Sequence, residues 1–75
     1  MINIYFKDET KSSENIIQIG KVEGTQDDWD NAWPLIRMYI KSVLNIDKPP
    51  YFRSWKSNGA RIIDYGSHSK FFILK

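Results

Sequence analysis

The chain contains no cysteine. That excludes disulfide staples and thiolate zinc sites, and it fits a reducing compartment. Its one histidine, His68, cannot build a metal centre alone. Glycine is sparse and scattered: Gly20 and Gly24 stand in "GKVEGT", which lacks the spacing and the Lys-Ser/Thr ending of a phosphate loop. No apolar run approaches the roughly 18 residues of a membrane span. The N-terminal "MINIYFKDE" has too short an apolar part, met at once by acid, to serve as a secretory signal. No repeat, low-complexity tract or linker divides the 75 residues. The expectation is one cytoplasmic domain, residues 1–75, with no membrane partner. Its size is near the lower limit for a core that sustains itself.

Catalytic candidates are equally few. Ser67, His68 and Ser69 are adjacent in "GSHS", but a triad needs convergence in space, and such a run reads first as polar turn chemistry. Asp27, Asp28 and Asp30 lack further ligands at calcium-loop spacing and fit the start of a helix. No catalytic residue, metal ligand or cofactor is assigned, and a non-enzymatic role is expected.

Net charge is only +2, yet it is unevenly spread. Residues 1–34 carry seven acids against three lysines, a net −4, while residues 35–75 carry eight cations against two acids, a net +6. Complementation of a helix dipole and ordinary solubility account for part of this. A basic face in the C-terminal half is the alternative reading.

What the chain has is patterning. "INIYFK" alternates Ile2, Ile4 and Phe6 with Asn3, Tyr5 and Lys7, the period of a half-buried strand. "IIQIGKV" reads as a second strand, joined to the first by the polar "DETKSSEN" as an antiparallel hairpin. The period then changes. Trp29, Trp33, Ile36, Ile40, Val43 and Leu44 recur at helical steps, with Thr25 as N-cap and Asp28 at the capping-box position. Pro34 interrupts this segment. Either the helix kinks there, or Thr25 to Asp30 is a separate turn and the helix starts near Asn31. "NIDKPP" ends it. "YFRSWKS", "ARIIDYG" and "KFFILK" read as three further strands, with Asn58-Gly59 a type I′ turn and Gly66 a candidate bulge. The predicted fold class is α+β: an antiparallel β-sheet of about five strands with one helix packed on it, in the order β-β-α-β-β-β.

Counting outward from Asn58-Gly59 fixes a register in which Arg53 opposes Asp64, Trp55 opposes Ile62 and Lys56 opposes Arg61. One face then carries Tyr51, Arg53, Trp55, Ile62 and Asp64; the other carries Phe52, Ser54, Lys56, Arg61, Ile63 and Tyr65. The Lys56–Arg61 pair is like-charged and structurally unhelpful. Phe71 and Ile73 alternate with Phe72 and Leu74, so the last strand is apolar on both sides. Five strands at about 4.8 Å spacing extend roughly 20 Å between outer strands, whereas a helix is only about 10–12 Å across. One helix cannot cover even one face. Rings left over form an aromatic patch rimmed by cations, which points to a partner; strong sheet twist around the helix is the purely structural account of the same rings.

The segment "YFRSWKSNGARIIDYGSHSKFFIL" resembles the C-terminal part of small accessory proteins carried by phages of low-GC Gram-positive bacteria. Trp55, the short glycine turn, "IDYGS" and the aromatic pair Phe71-Phe72 carry the resemblance. It implies an inhibitor of host defence, of the anti-CRISPR kind, that acts by stoichiometric binding to a host protein such as a defence nuclease. Many such inhibitors mimic nucleic acid with a strongly acidic surface. This chain is net positive, so duplex mimicry is not the favoured mechanism.

The candidate partner-binding residues are Tyr51, Arg53, Trp55, Lys56, Arg61, Tyr65 and Lys70. Two alternatives use the same surface. Rings and cations on a sheet can stack bases and hold phosphates of nucleic acid, and a homodimer can hide the sheet by self-association.

Overall fold

The alternation of "INIYFKD" is realised as strand β1, Ile2–Asp8, in which Ile2, Ile4, Phe6 and Asp8 are buried and the residues between them partly exposed. This is a computed structural model that describes residues 1–10, 15–67 and 69–75. Half of the predicted "DETKSSEN" turn, residues 11–14, lies outside them. Strand β2, Ile16–Val22, pairs antiparallel with β1, and the register shifts between Ile4 and Tyr5, leaving Ile19 as an extra residue. Strands β3, Arg53–Ser57, β4, Ala60–Asp64, and β5, Lys70–Leu74, complete one sheet in the order β2-β1-β5-β4-β3. Every adjacent pair is antiparallel. The class and the β-β-α-β-β-β order are as predicted.

The β3–β4 register is the one counted from the turn, with Arg53 opposite Asp64 and Trp55 opposite Ile62. Asn58 and Gly59 both have positive φ, 52° and 77°, the conformation a type I′ turn demands. Gly66 is not a bulge: it lies in a bend after β4 with φ 94°. The other half of the "GSHS" turn is held by Ser67, whose Oγ accepts from the Lys70 amide at 2.8 Å. His68 lies outside the described residues.

Pro34 decides where the helix begins. A short 3-10 turn, Asp30–Ala32, leads into helix α1, Trp33–Ser42, and places Pro34 in the first turn, where its missing amide proton costs little. Thr25 caps no helix. Its Oγ1 accepts from the Asp28 amide at 2.9 Å, closing a separate turn. Val43 is exposed, because α1 ends at Ser42 and the chain turns away. No helix among the described residues is long and apolar enough to cross a membrane.

Helix α1 lies on the face that carries Ile4, Phe6, Ile63, Phe72 and Leu74. Ile36 and Ile40 are its buried contacts, and Tyr39 and Leu35 pack alongside. Phe72 sits at the centre, with the rings of Phe6, Tyr39 and Tyr65 at 5.3, 5.9 and 5.8 Å. Each such burial contributes about 1.5–3 kcal/mol. Gly20 lets the helix sit close, since a Cβ there would run into the Leu35 side chain. The Trp29 and Trp33 rings meet at 5.0 Å, tilted by 39°, and both pack against the core. Trp33 opens α1 as the helical stripe implied, whereas Trp29 lies outside the helix, just before the 3-10 turn.

Candidate interaction site on the open sheet face

Among the described residues no helix or further strand lies over the face of the sheet opposite α1. Register defines its composition. One row runs Trp55, Ile62, Ile73, Tyr5 across β3, β4, β5 and β1; the next runs Arg53, Asp64, Phe71, Lys7. Trp55 lies on the edge strand and is 38 % exposed. Its ring reaches over β4 to meet Phe71 edge-on, with centroids 6.2 Å apart at 80°. Together with Ile62, Ile73, Lys7 and Glu9 these two rings line a shallow hollow of about 200 Å³. Its floor is apolar, and its charged rim is the Lys7–Glu9 pair at 3.7 Å.

One carboxylate is buried on this face. Asp64 has no solvent exposure, and its Oδ2 accepts from Arg53 Nε at 3.2 Å while Oδ1 accepts from the Gly66 amide at 3.0 Å. The Arg53 guanidinium also sits 5.3 Å from the Trp55 ring centroid, a cation–π contact. Arg53 thus props the indole and neutralises the buried acid with a single group. The opposite-charge cross-strand pair predicted for these two residues is present.

The predicted site residues divide between the two faces. Arg53 and Trp55 belong to the open face. Tyr51 precedes β3 and is 41 % exposed, with its ring beside Gly66. Tyr65 is not available to a partner: it is 2 % exposed and packed on Phe72. It follows the inward parity of Ile63, and its burial pushes the phenol above its ordinary range against the opposing hydrogen bond from Ser67. Lys70 pairs across from Asp8 on the α1 side of the sheet.

Lys56 and Arg61 also face the α1 side, where Asp27 reconciles their like charges. The Asp27 carboxylate pairs with Lys56 and lies 3.9 Å from Arg61. Arg61 further donates to the Gln26 carbonyl at 2.6 Å and to Ser54 Oγ at 3.1 Å, and it lies 5.8 Å from the Trp29 ring centroid. The cross-strand pair that looked unhelpful is a clamp on the 25–28 turn. The Lys56 hydrogen bond and charge hold the Asp27 carboxyl below the usual carboxylate range, with a smaller contribution from Arg61. Asp27 therefore serves the hairpin and not the start of the helix.

The register counted from the turn already set Ile62 opposite Trp55, but sequence reasoning left three further members of the face unassigned: Phe71, Ile73 and Lys7. Their alternation was visible, but only the pairing of β5 with both β1 and β4 joins them to Trp55. Among the described residues no three His, Asp or Glu side chains gather as a metal site. What the arrangement offers is a partly exposed indole on a propped edge, beside an apolar hollow. No protein-family model matches the chain, and neither the curated proteins nor the solved structures contain a significant match.

Proposed function

We propose that the chain is a non-enzymatic binding protein, a phage-type inhibitor that docks the open face of its sheet on a host protein such as a CRISPR or other defence nuclease. The observation that carries the binding role is the uncovered Trp55–Phe71 hollow. A ring held by Arg53 loses little freedom on docking, and aromatic anchors of this kind dominate interface energetics. The class of partner rests on the resemblance of residues 51–74. The cations favour protein over nucleic acid, because Arg53 is committed to Asp64 and Lys56 and Arg61 to Asp27.

Immobilised protein incubated with bacterial lysate tests the reading, followed by a cleavage assay on any captured nuclease. The native chain retains a host protein that Trp55→Ala loses by tenfold or more, while Lys41→Ala on the helix retains it. Equal retention by native and Trp55→Ala contradicts the proposal. Salt-sensitive binding of oligonucleotides at micromolar protein would move the surface to nucleic acid. A dimer in sedimentation that Trp55→Ala dissociates would assign the face to self-association.

A further inference from the structure

The basic excess of the C-terminal half has a second location, away from the open face. Arg37 and Lys41 lie one turn apart on α1, and Lys48 faces them across a concavity of about 250 Å³. The loop after the helix builds the far wall. The amides of Val43 and Leu44 return to the Tyr39 carbonyl at 2.9 and 3.2 Å, and the Ile46 amide returns to the Ile40 carbonyl at 3.1 Å. Asn45 takes the left-handed conformation, φ 57°, that this tight return requires. Ile46 is thereby tucked onto the core and Lys48 brought to the rim.

Three cations on one concavity repel one another, and none of the three has a carboxylate within salt-bridge distance among the described residues. Asp47 is the single acid in the lining, so the local charge is +2. The negative pole of α1 is muted, because its Tyr39 and Ile40 carbonyls are already bonded. The walls between the charges are apolar: Ile40, Ile46 and Phe52. Phe52 is 37 % exposed and braced edge-on by Trp33, with centroids 4.8 Å apart.

We propose that this concavity binds a phosphate-bearing small molecule with an aromatic or apolar body, of the size of a mononucleotide. Arg37, Lys41 and Lys48 would hold the phosphate and the Phe52–Ile46 wall the ring. The space suits one such group and is too small for a stacked duplex. The site is separate from the Trp55 face, so it stands or falls independently of the docking role.

Amide-resolved NMR titration of the full chain with a 5′-mononucleotide tests it. The account expects saturable shifts confined to residues 37–41 and 46–52. Affinity should fall about tenfold or more in each of Arg37→Ala and Lys48→Ala, fall several-fold in Phe52→Leu, and be unchanged in Trp55→Ala. Circular dichroism confirms that each variant is folded. Inorganic phosphate should bind measurably weaker than the nucleotide; equal affinity would overturn the role of the apolar wall. A single-stranded oligonucleotide or a poly-glutamate peptide binding much tighter than the nucleotide, with the same variant pattern, would overturn the small-molecule class. No shift at 10-millimolar-order nucleotide (about that level, well above common weak affinities) would overturn the site itself.

Discussion

Trp55 and Phe71 stand on strands separated by β4, yet their rings meet edge-on at 6.2 Å. The contact lays the indole across the sheet where an isolated edge strand would let it swing into solvent. Cross-strand geometry and the Arg53 prop thus give an exposed aromatic group one orientation. A pre-oriented ring beside an apolar hollow is suited to binding and contributes little to the core, which lies on the other side of the sheet.

The Arg53–Asp64 pair is the structural support of that face. Asp64 is fully buried while the Arg53 side chain remains 58 % exposed. Removing Arg53 leaves a buried carboxylate with less compensation, although the Gly66 amide still donates to it. Arg53→Ala should lower stability by about 1–2 kcal/mol, read as the urea midpoint. Combined with Asp64→Asn, the loss should be smaller than the two single losses added, because the pair is coupled.

Acid should loosen the clamp between the hairpin and the 25–28 turn. Folding holds the Asp27 carboxyl below its ordinary value, so near pH 3.8 the unfolded chain binds more protons than the folded one. The contribution of Asp27 is complete above that pH and is lost as pH falls through the lower folded value. Thermal unfolding of Asp27→Asn between pH 2 and 6 should show a shallower acid slope than the native chain. The difference should shrink in high salt, since the carboxylate is exposed.

Two glycines separate the cost of conformation from the cost of crowding. Gly59 has φ 77° and open space around its missing side chain, whereas Gly66 has φ 94° and the Pro50 ring where a Cβ would stand. Gly59→Ala should cost about 1 kcal/mol from conformation alone. Gly66→Ala should cost more, roughly 2–3 kcal/mol, because a proline ring cannot swing aside. Chemical denaturation of the two variants side by side makes the comparison.

Much of the fold was legible because local signals agreed. Asn58-Gly59 fixed the β3–β4 register, and the apolar period named β1 and the core residues of α1. Pro34 left two starts for the helix open, and the first-turn position prevailed because an amide proton there has no intrahelical acceptor to lose. The site was less legible. Both hairpin faces carried apolar residues, so nothing local told which face α1 would take, and Tyr65 went to the core with Ile63. Insertion of β5 between β1 and β4 is a long-range event that no local period reports, and it is what brings Phe71 to Trp55. The partnership of Asp27 with Lys56 and Arg61 crosses the chain in the same way.

Hydroxyl-radical footprinting of the complex with a captured partner tests the central claim most directly. It compares Trp55 and Phe71 on the open face with Met38, which is 67 % exposed on the helix. The account predicts strong protection of Trp55 and Phe71 in the complex, with Met38 oxidised as in the free protein. Protection of Met38 with Trp55 unchanged would contradict it.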